Sequence, residues 1–281
     1  MSTALRLVIL ACIVAQTHQL LATDVFRSRS RAVWQSDFVV VVTWHSRDLN
    51  GLQPFPLGVG AKFALMIKGN LKRCERDIPD WLEPHVVLCE TLENSSGRDS
   101  HTIAHFVWKH YYTLPFLTFF VQDDDVPRGE LDRIPREPGA AFDAWLSRSE
   151  EDPFVDSHSC LCNVVTEPWV SPDEFGEGGY GGMYPTMKYL MEMYLDYNVT
   201  SLPAIVRWPG ADTFTVSARA VRRHSRAVYA LFAELLRDGE GDRHLVKLCA
   251  GNACRGPGDT GHIFERLWFA IFDASYAHRL I

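Results

Sequence analysis

The stretch SHTIAHFVWKHYYTLPFLTFFVQDDD, residues 100–125, decides how the chain folds. Ile103, Phe106, Val107 and Tyr111 recur at helical spacing and predict a helix from Ser100 to Tyr112, which Pro115 prevents from continuing. Leu117 to Val121 is a continuous apolar run of strand length. His85 to Cys89, upstream, reads as a second such strand. A helix between two buried strands returns the chain to a parallel neighbour, because parallel pairing needs a crossover of a dozen or more residues.

Working outward, Phe38 to Trp44 is apolar on both parities and rich in valine, the pattern of a central strand covered on both faces. Phe63 to Ile67 repeats it. Thr213 to Val216 is a further strand, with Ser217 as N-cap of a helix through Val221, Val228, Phe232 and Leu235. Tyr184 to Tyr197 and Gly261 to Phe272 are also helical. In the last of these Phe264, Leu267, Trp268, Ile271 and Phe272 form a wide apolar stripe, with Glu265 at its edge and able to look into a cleft. The class is therefore α/β, with a mostly parallel central sheet flanked by helices. An irregular insertion around 127–182 ends in a glycine-rich run, read equally as a binding lid or a surface loop.

A leader is expected at 1–22, where Arg6 precedes the apolar run Leu7 to Ala15. That run is too short to span a bilayer, which takes about 20 residues, so a removed signal peptide is favoured over a short signal anchor. Residues 30–281 are expected to form one domain. The sequons at Asn94 and Asn198 agree with a secretory route, in the Golgi or ER lumen or outside the cell, with membrane contact only if the leader is uncleaved. Seven cysteines become six once Cys12 leaves with the leader. In an oxidising compartment these suggest disulfides among Cys74, Cys89, Cys160, Cys162, Cys249 and Cys254, but six cysteines allow 15 pairings. Their spacings form no zinc ribbon. A net charge of −7, with basic residues dispersed, argues against a nucleic-acid partner. The exception, Arg219, Arg222, Arg223 and Arg226, reads as the solvated face of one helix.

Chemistry is expected at the strand ends. In open α/β sheets the crevice beyond the carboxyl ends of the strands takes the ligand, and Gln122-Asp123-Asp124-Asp125 lies at one such end. Asp123 and Asp125 could hold Mg²⁺ or Mn²⁺ against a nucleotide diphosphate, although an acidic turn is the commoner origin of such a triplet. Lys68-Gly69 follows another strand and could meet a phosphate, or simply leave the sheet. Gly97-Arg98-Asp99 precedes a helix whose positive end favours anions. There Arg98 could fork onto phosphate, while Asp99 or Ser100 serves as helix cap. His101 and His105 are one turn apart and could ligate a transition metal, but without the glutamate of the H-E-x-x-H pattern. No P-loop, G-x-G-x-x-G or G-x-S-x-G motif is present.

Several blocks together resemble the domain of unknown function 3431 family: Phe38 to Val42, Ile67-Lys68-Gly69, Gly97 to Thr102, Leu114-Pro115 with Phe119 to Gln122, Phe214 to Ser217, and Glu265 to Trp268. They follow that family's order across most of the mature chain. The family is similar to nucleotide-sugar glycosyltransferases of the GT-A type, which implies a Rossmann-like sheet with a donor pocket near the strand ends. The resemblance implies transfer of a sugar from a nucleotide-sugar donor to a glycan or protein acceptor. Lys68, Gly97, Arg98, Asp99 and Gln122 would bind the donor, Asp123 and Asp125 would hold Mn²⁺ or Mg²⁺, and Glu265 would be the general base of an inverting reaction. The alternatives are a secreted carbohydrate-binding or interaction protein without turnover, and a metal-dependent hydrolase built on His101 and His105.

Overall fold

The computed structural model describes residues 30–52, 60–93, 97–123, 167–168, 184–195, 205–206, 213–237, 240–249 and 259–272. The expected leader, both sequons, Asp125, Cys160, Cys162, Cys254 and nearly all of the 127–182 insertion lie outside these residues.

The main sheet has five strands: β1 (Phe38–Trp44), β2 (Lys62–Lys68), β3 (Val86–Leu92), β4 (Leu117–Gln122) and β5 (Phe214–Ser217). Their spatial order is β3-β2-β1-β4-β5. β1 pairs in parallel with both β2 and β4, β2 pairs in parallel with β3, and β5 runs antiparallel to β4. The expected crossover is α1 (Arg98–His110), joining β3 to β4. A separate two-residue ladder pairs Glu167–Pro168 with Ile205–Val206.

β1 is buried along its whole length, which is why its valines occupy both parities. Val39 and Val41, with Ala64, Met66 and Phe120, face a core supplied by α1 and the later helices. Phe38, Val40, Val42 and Trp44 face the other way, onto Leu49, Leu52, Ala61 and Leu82. A disulfide from Cys74 to Cys89 ties this second cover to β3. Cys249 is disulfide-bonded as well. Both agree with folding in an oxidising compartment. No helix among the described residues is long and apolar enough to cross a membrane.

Further α-helices are α2 (Tyr184–Tyr194), α3 (Ala218–Val221), α4 (Arg226–Leu235), α5 (Glu240–Leu248) and α6 (Asp259–Phe272). Ser217 caps α3 as expected, its side chain accepting from the Ala220 amide. The single helix expected after it is instead two, broken at Arg222 to Ser225, so the arginines do not share one solvated face. Arg223 donates to the Phe272 carbonyl at 2.7 Å, and Arg226 to that of Trp108 at 3.0 Å. These cations serve carbonyls at or near the C-terminal ends of α6 and α1, where the helices' own bonding runs out. Phe264, Leu267, Trp268, Ile271 and Phe272 are all buried, as the stripe predicted, and Ile263 is buried beside them.

Candidate functional site

Strand order reverses at β1. The chain runs outward through β2 to β3, then crosses by α1 to β4 on the opposite side of β1. The carboxyl ends of β1 and β4 therefore border the switch point, where open α/β sheets form their crevice.

Beyond β4, Asp123 is 2% exposed, and its amide completes the ladder by donating to the Thr43 carbonyl at 3.0 Å. One carboxylate oxygen, Oδ2, accepts three successive backbone N–H groups, from His45 at 2.9 Å, Ser46 at 2.8 Å and Arg47 at 2.7 Å. Three consecutive amides turned inward make an anion nest, and here the chain's own carboxylate fills it. The Trp44 indole secures the same loop by donating to the Arg47 carbonyl at 2.8 Å. Oδ2 is thus spent on N–H donors, while Asp125, the second ligand of the expected divalent cation, lies outside the described residues. Among the described residues no group of three or more His, Cys, Asp or Glu could hold a metal ion. Through Oδ2, Asp123 braces the loop of His45 to Arg47.

The braced loop fixes His45. Its Nε2 lies 3.0 Å from Oδ1 of Asp99, in the first turn of α1. A carboxylate only accepts, so Nε2 carries the proton. Asp99 thus holds an imidazole across the crevice, and the helix cap expected at Asp99 or Ser100 is instead Gly97, with no side-chain cap hydrogen bond. The His45 side chain is 37% exposed. Its pKa is raised above the ordinary 6.5, chiefly by the hydrogen bond to Asp99 and against the cost of burial.

Lys68 ends β2 but is no surface cation, being 3% exposed. Its ammonium donates to Nδ1 of His101 at 2.9 Å and reaches the Glu93 carbonyl at 3.5 Å. Burial and then the Lys68 charge depress the His101 pKa from 6.5 to about 3, so the ring is neutral. His105 instead bonds Glu90 on β3, Nε2 to Oε1, at 3.3 Å. A metal at the expected histidine pair would have to displace an ammonium from His101, and the hydrolase reading has no ligand set among the described residues.

The depressed His101 pKa predicts an acid-sensitive fold. Its contribution is present above the unfolded value of 6.5 and is lost as pH falls from there towards about 3. In urea titrations across that window, His101→Gln should show a shallower loss of stability, by up to about 1.4 kcal/mol per pH unit. Parallel wild-type and variant curves would refute a buried neutral His101.

Arg98, the first residue of α1, has φ 47°, in the left-handed region. Such a conformation costs a non-glycine residue about 1–3 kcal/mol and persists where the surroundings enforce it. The enforcement is visible. The Gly97 amide donates to the Leu236 carbonyl at 3.0 Å, beyond the end of α4. Ser100 Oγ donates to the Gly261 carbonyl at 3.1 Å and accepts from the Trp268 indole at 3.3 Å, which locks α1 to α6. On α6, His262 Nε2 lies 3.3 Å from the Arg98 guanidinium, and its Nδ1 lies 3.0 Å from Oε2 of Glu265. Arginine only donates, so Nε2 accepts and Nδ1 carries the proton towards the carboxylate. Glu265 therefore reaches Arg98 through His262.

Of the expected residues, the structure links Asp99 and Asp123 through His45, and Arg98 and Glu265 through His262. Gly97 adjoins Arg98, Lys68 backs the same helical turn, and Gln122 is half-buried at the end of β4. His45 and His262 were not among the residues expected at the site. Signals existed for both: His45 follows a central strand just as Lys68 and Asp123 do, and His262 stands one helical turn before Glu265. No family model, curated protein or solved structure matches the chain.

Proposed function

We propose that the chain is a glycosyltransferase-like protein of the secretory pathway that moves a sugar from a nucleotide-sugar donor to a glycan or protein acceptor. One observation carries the reading: a strained, exposed arginine at the N-terminus of α1 is held by the His262–Glu265 pair, next to Asp99, which holds His45, and one turn before His101, which meets the buried Lys68. Helix N-termini and arginine forks favour phosphates, and titratable pairs supply proton transfer. The resemblance of the sequence blocks to the domain of unknown function 3431 family, and of that family to GT-A enzymes on a Rossmann-like sheet, supports the choice of donor. In this reading Arg98 grips the diphosphate, Glu265 orients Arg98 through His262, Gly97 and Gln122 border the donor, and Lys68 adds positive charge from behind the helix.

The test is a thermal-shift panel of nucleotide-sugars on the full chain, with and without Mn²⁺. At 100 times its dissociation constant a bound donor stabilises the fold by about 2.7 kcal/mol. Arg98→Ala should weaken that donor about 10- to 100-fold, the value of a charged hydrogen bond. If no donor shifts the wild type under either condition, the reading fails. Binding without turnover would identify the non-catalytic carbohydrate-binding alternative instead.

A further inference from the structure

Two histidine–carboxylate pairs lie at the first turn of α1 and on α6 packed against it, His45 with Asp99 and His262 with Glu265, and only in the first does a ring nitrogen bond no described residue. In His262 both nitrogens are engaged, Nε2 by Arg98 and Nδ1 by Glu265. His45 spends Nε2 on Asp99, while Nδ1 bonds no described residue and the ring is 37% exposed. The Asp123 brace fixes its backbone through the loop amides, so the imidazole is held at both ends. Such a ring is oriented by a carboxylate on one nitrogen and presents a lone pair on the other.

We infer that His45, rather than Glu265, is the proton-transfer group of the site, and that Asp99 is its positioning residue. The inference rests on the sugar-transfer reading. Nδ1 takes the proton of the acceptor hydroxyl as its oxygen bonds the anomeric carbon. The bond from that carbon to the donor's diphosphate oxygen breaks, and the nucleoside diphosphate leaves with the electron pair, its charge met by Arg98. The groups facing His45 are Asp99 on α1, Asp123 beyond β4 and Lys68 at the end of β2, the first two raising its pKa and the last lowering it. The balance favours a base with a raised pKa, strong enough to draw a hydroxyl proton.

Two measurements test this. In the full chain labelled with ¹⁵N-histidine, the resonance lost in His45→Gln should show the Nε2–H tautomer and a titration midpoint above 6.5. In Asp99→Asn that midpoint should fall. An unchanged midpoint overturns the pairing whatever the donor results. With the donor found by thermal shift, H45Q should keep the donor-induced shift and lose at least about 100-fold in kcat. D99N should move the acidic limb of kcat/KM to lower pH, which a merely structural residue would not do. Equal turnover in H45Q overturns His45 alone. Absence of any donor-dependent shift or turnover in the wild type overturns the sugar-transfer reading, and the assignment of His45 to that reaction with it.

Discussion

Gly97→Ala is expected to lower stability by about 3 kcal/mol, the upper end of ordinary overpacking costs, and the thermal midpoint by about 6–12 °C for a chain of this size. A β-carbon at Gly97 would stand 2.3 Å from the Leu236 carbonyl oxygen and 2.6 Å from the Leu236 Cβ. Neither atom can rotate aside, because the carbonyl also accepts the Gly97 amide and belongs to the end of α4. Gly97 has φ −69°, so the cost is one of space and not of backbone conformation. Gly60 is the useful control: its φ is +72° but nothing lies within 4 Å of an added Cβ. Gly60→Ala should therefore cost only about 1–2 kcal/mol, through φ alone. If thermal melts place the two variants together, the close approach of the three backbones at Leu236, Gly97 and Gly261 is refuted.

Asp123→Ala carries the other large effect, an expected loss of about 3–5 kcal/mol. Hydrogen bonds to a charged group are worth about 1.5–3 kcal/mol each, and three that share one acceptor do not add fully. Asp123→Asn keeps an acceptor oxygen and should lose less than half as much. The sign distinguishes two roles for the residue. A carboxylate kept for a metal is a burden to the metal-free protein, so its removal would leave stability unchanged or raise it. A brace, once removed, strands the amides of His45, Ser46 and Arg47. Denaturant melts in EDTA read the first effect. Amide exchange reads the second, since these three amides should become fast-exchanging in the alanine variant, and unchanged exchange would sink the brace.

What could be read in advance follows the reach of the forces involved. β1 was predicted at Phe38 to Trp44 and found there, because full burial writes itself into every residue of a strand. The α1 crossover was also legible, with its start two residues earlier than expected, at Arg98 instead of Ser100. Local patterns do not encode which strand lies beside which, and the order β3-β2-β1-β4-β5 had to come from the packed structure. The site was legible only as positions at strand ends. Its pairings join residues far apart: His45 and Asp99 are separated by 54 positions, and Asp123 and the His45 amide by 78. Nothing near Asp123 reveals whether its oxygen meets a metal or three amides. The break at Arg222 to Ser225 was missed because an apolar period can continue in register across two short helices.

The Arg98–His262 contact spans 164 positions of sequence. At the usual 5–20 residues per second of synthesis, roughly 8–33 s pass between the making of the arginine and of the histidine that steadies it. The four parallel strands and α1 can assemble on the ribosome during that interval. Arg98, however, has neither its imidazole nor the Gly261 backbone to hold it in its left-handed turn. The nascent sheet thus precedes the completed candidate site by many seconds, and α6 arms it.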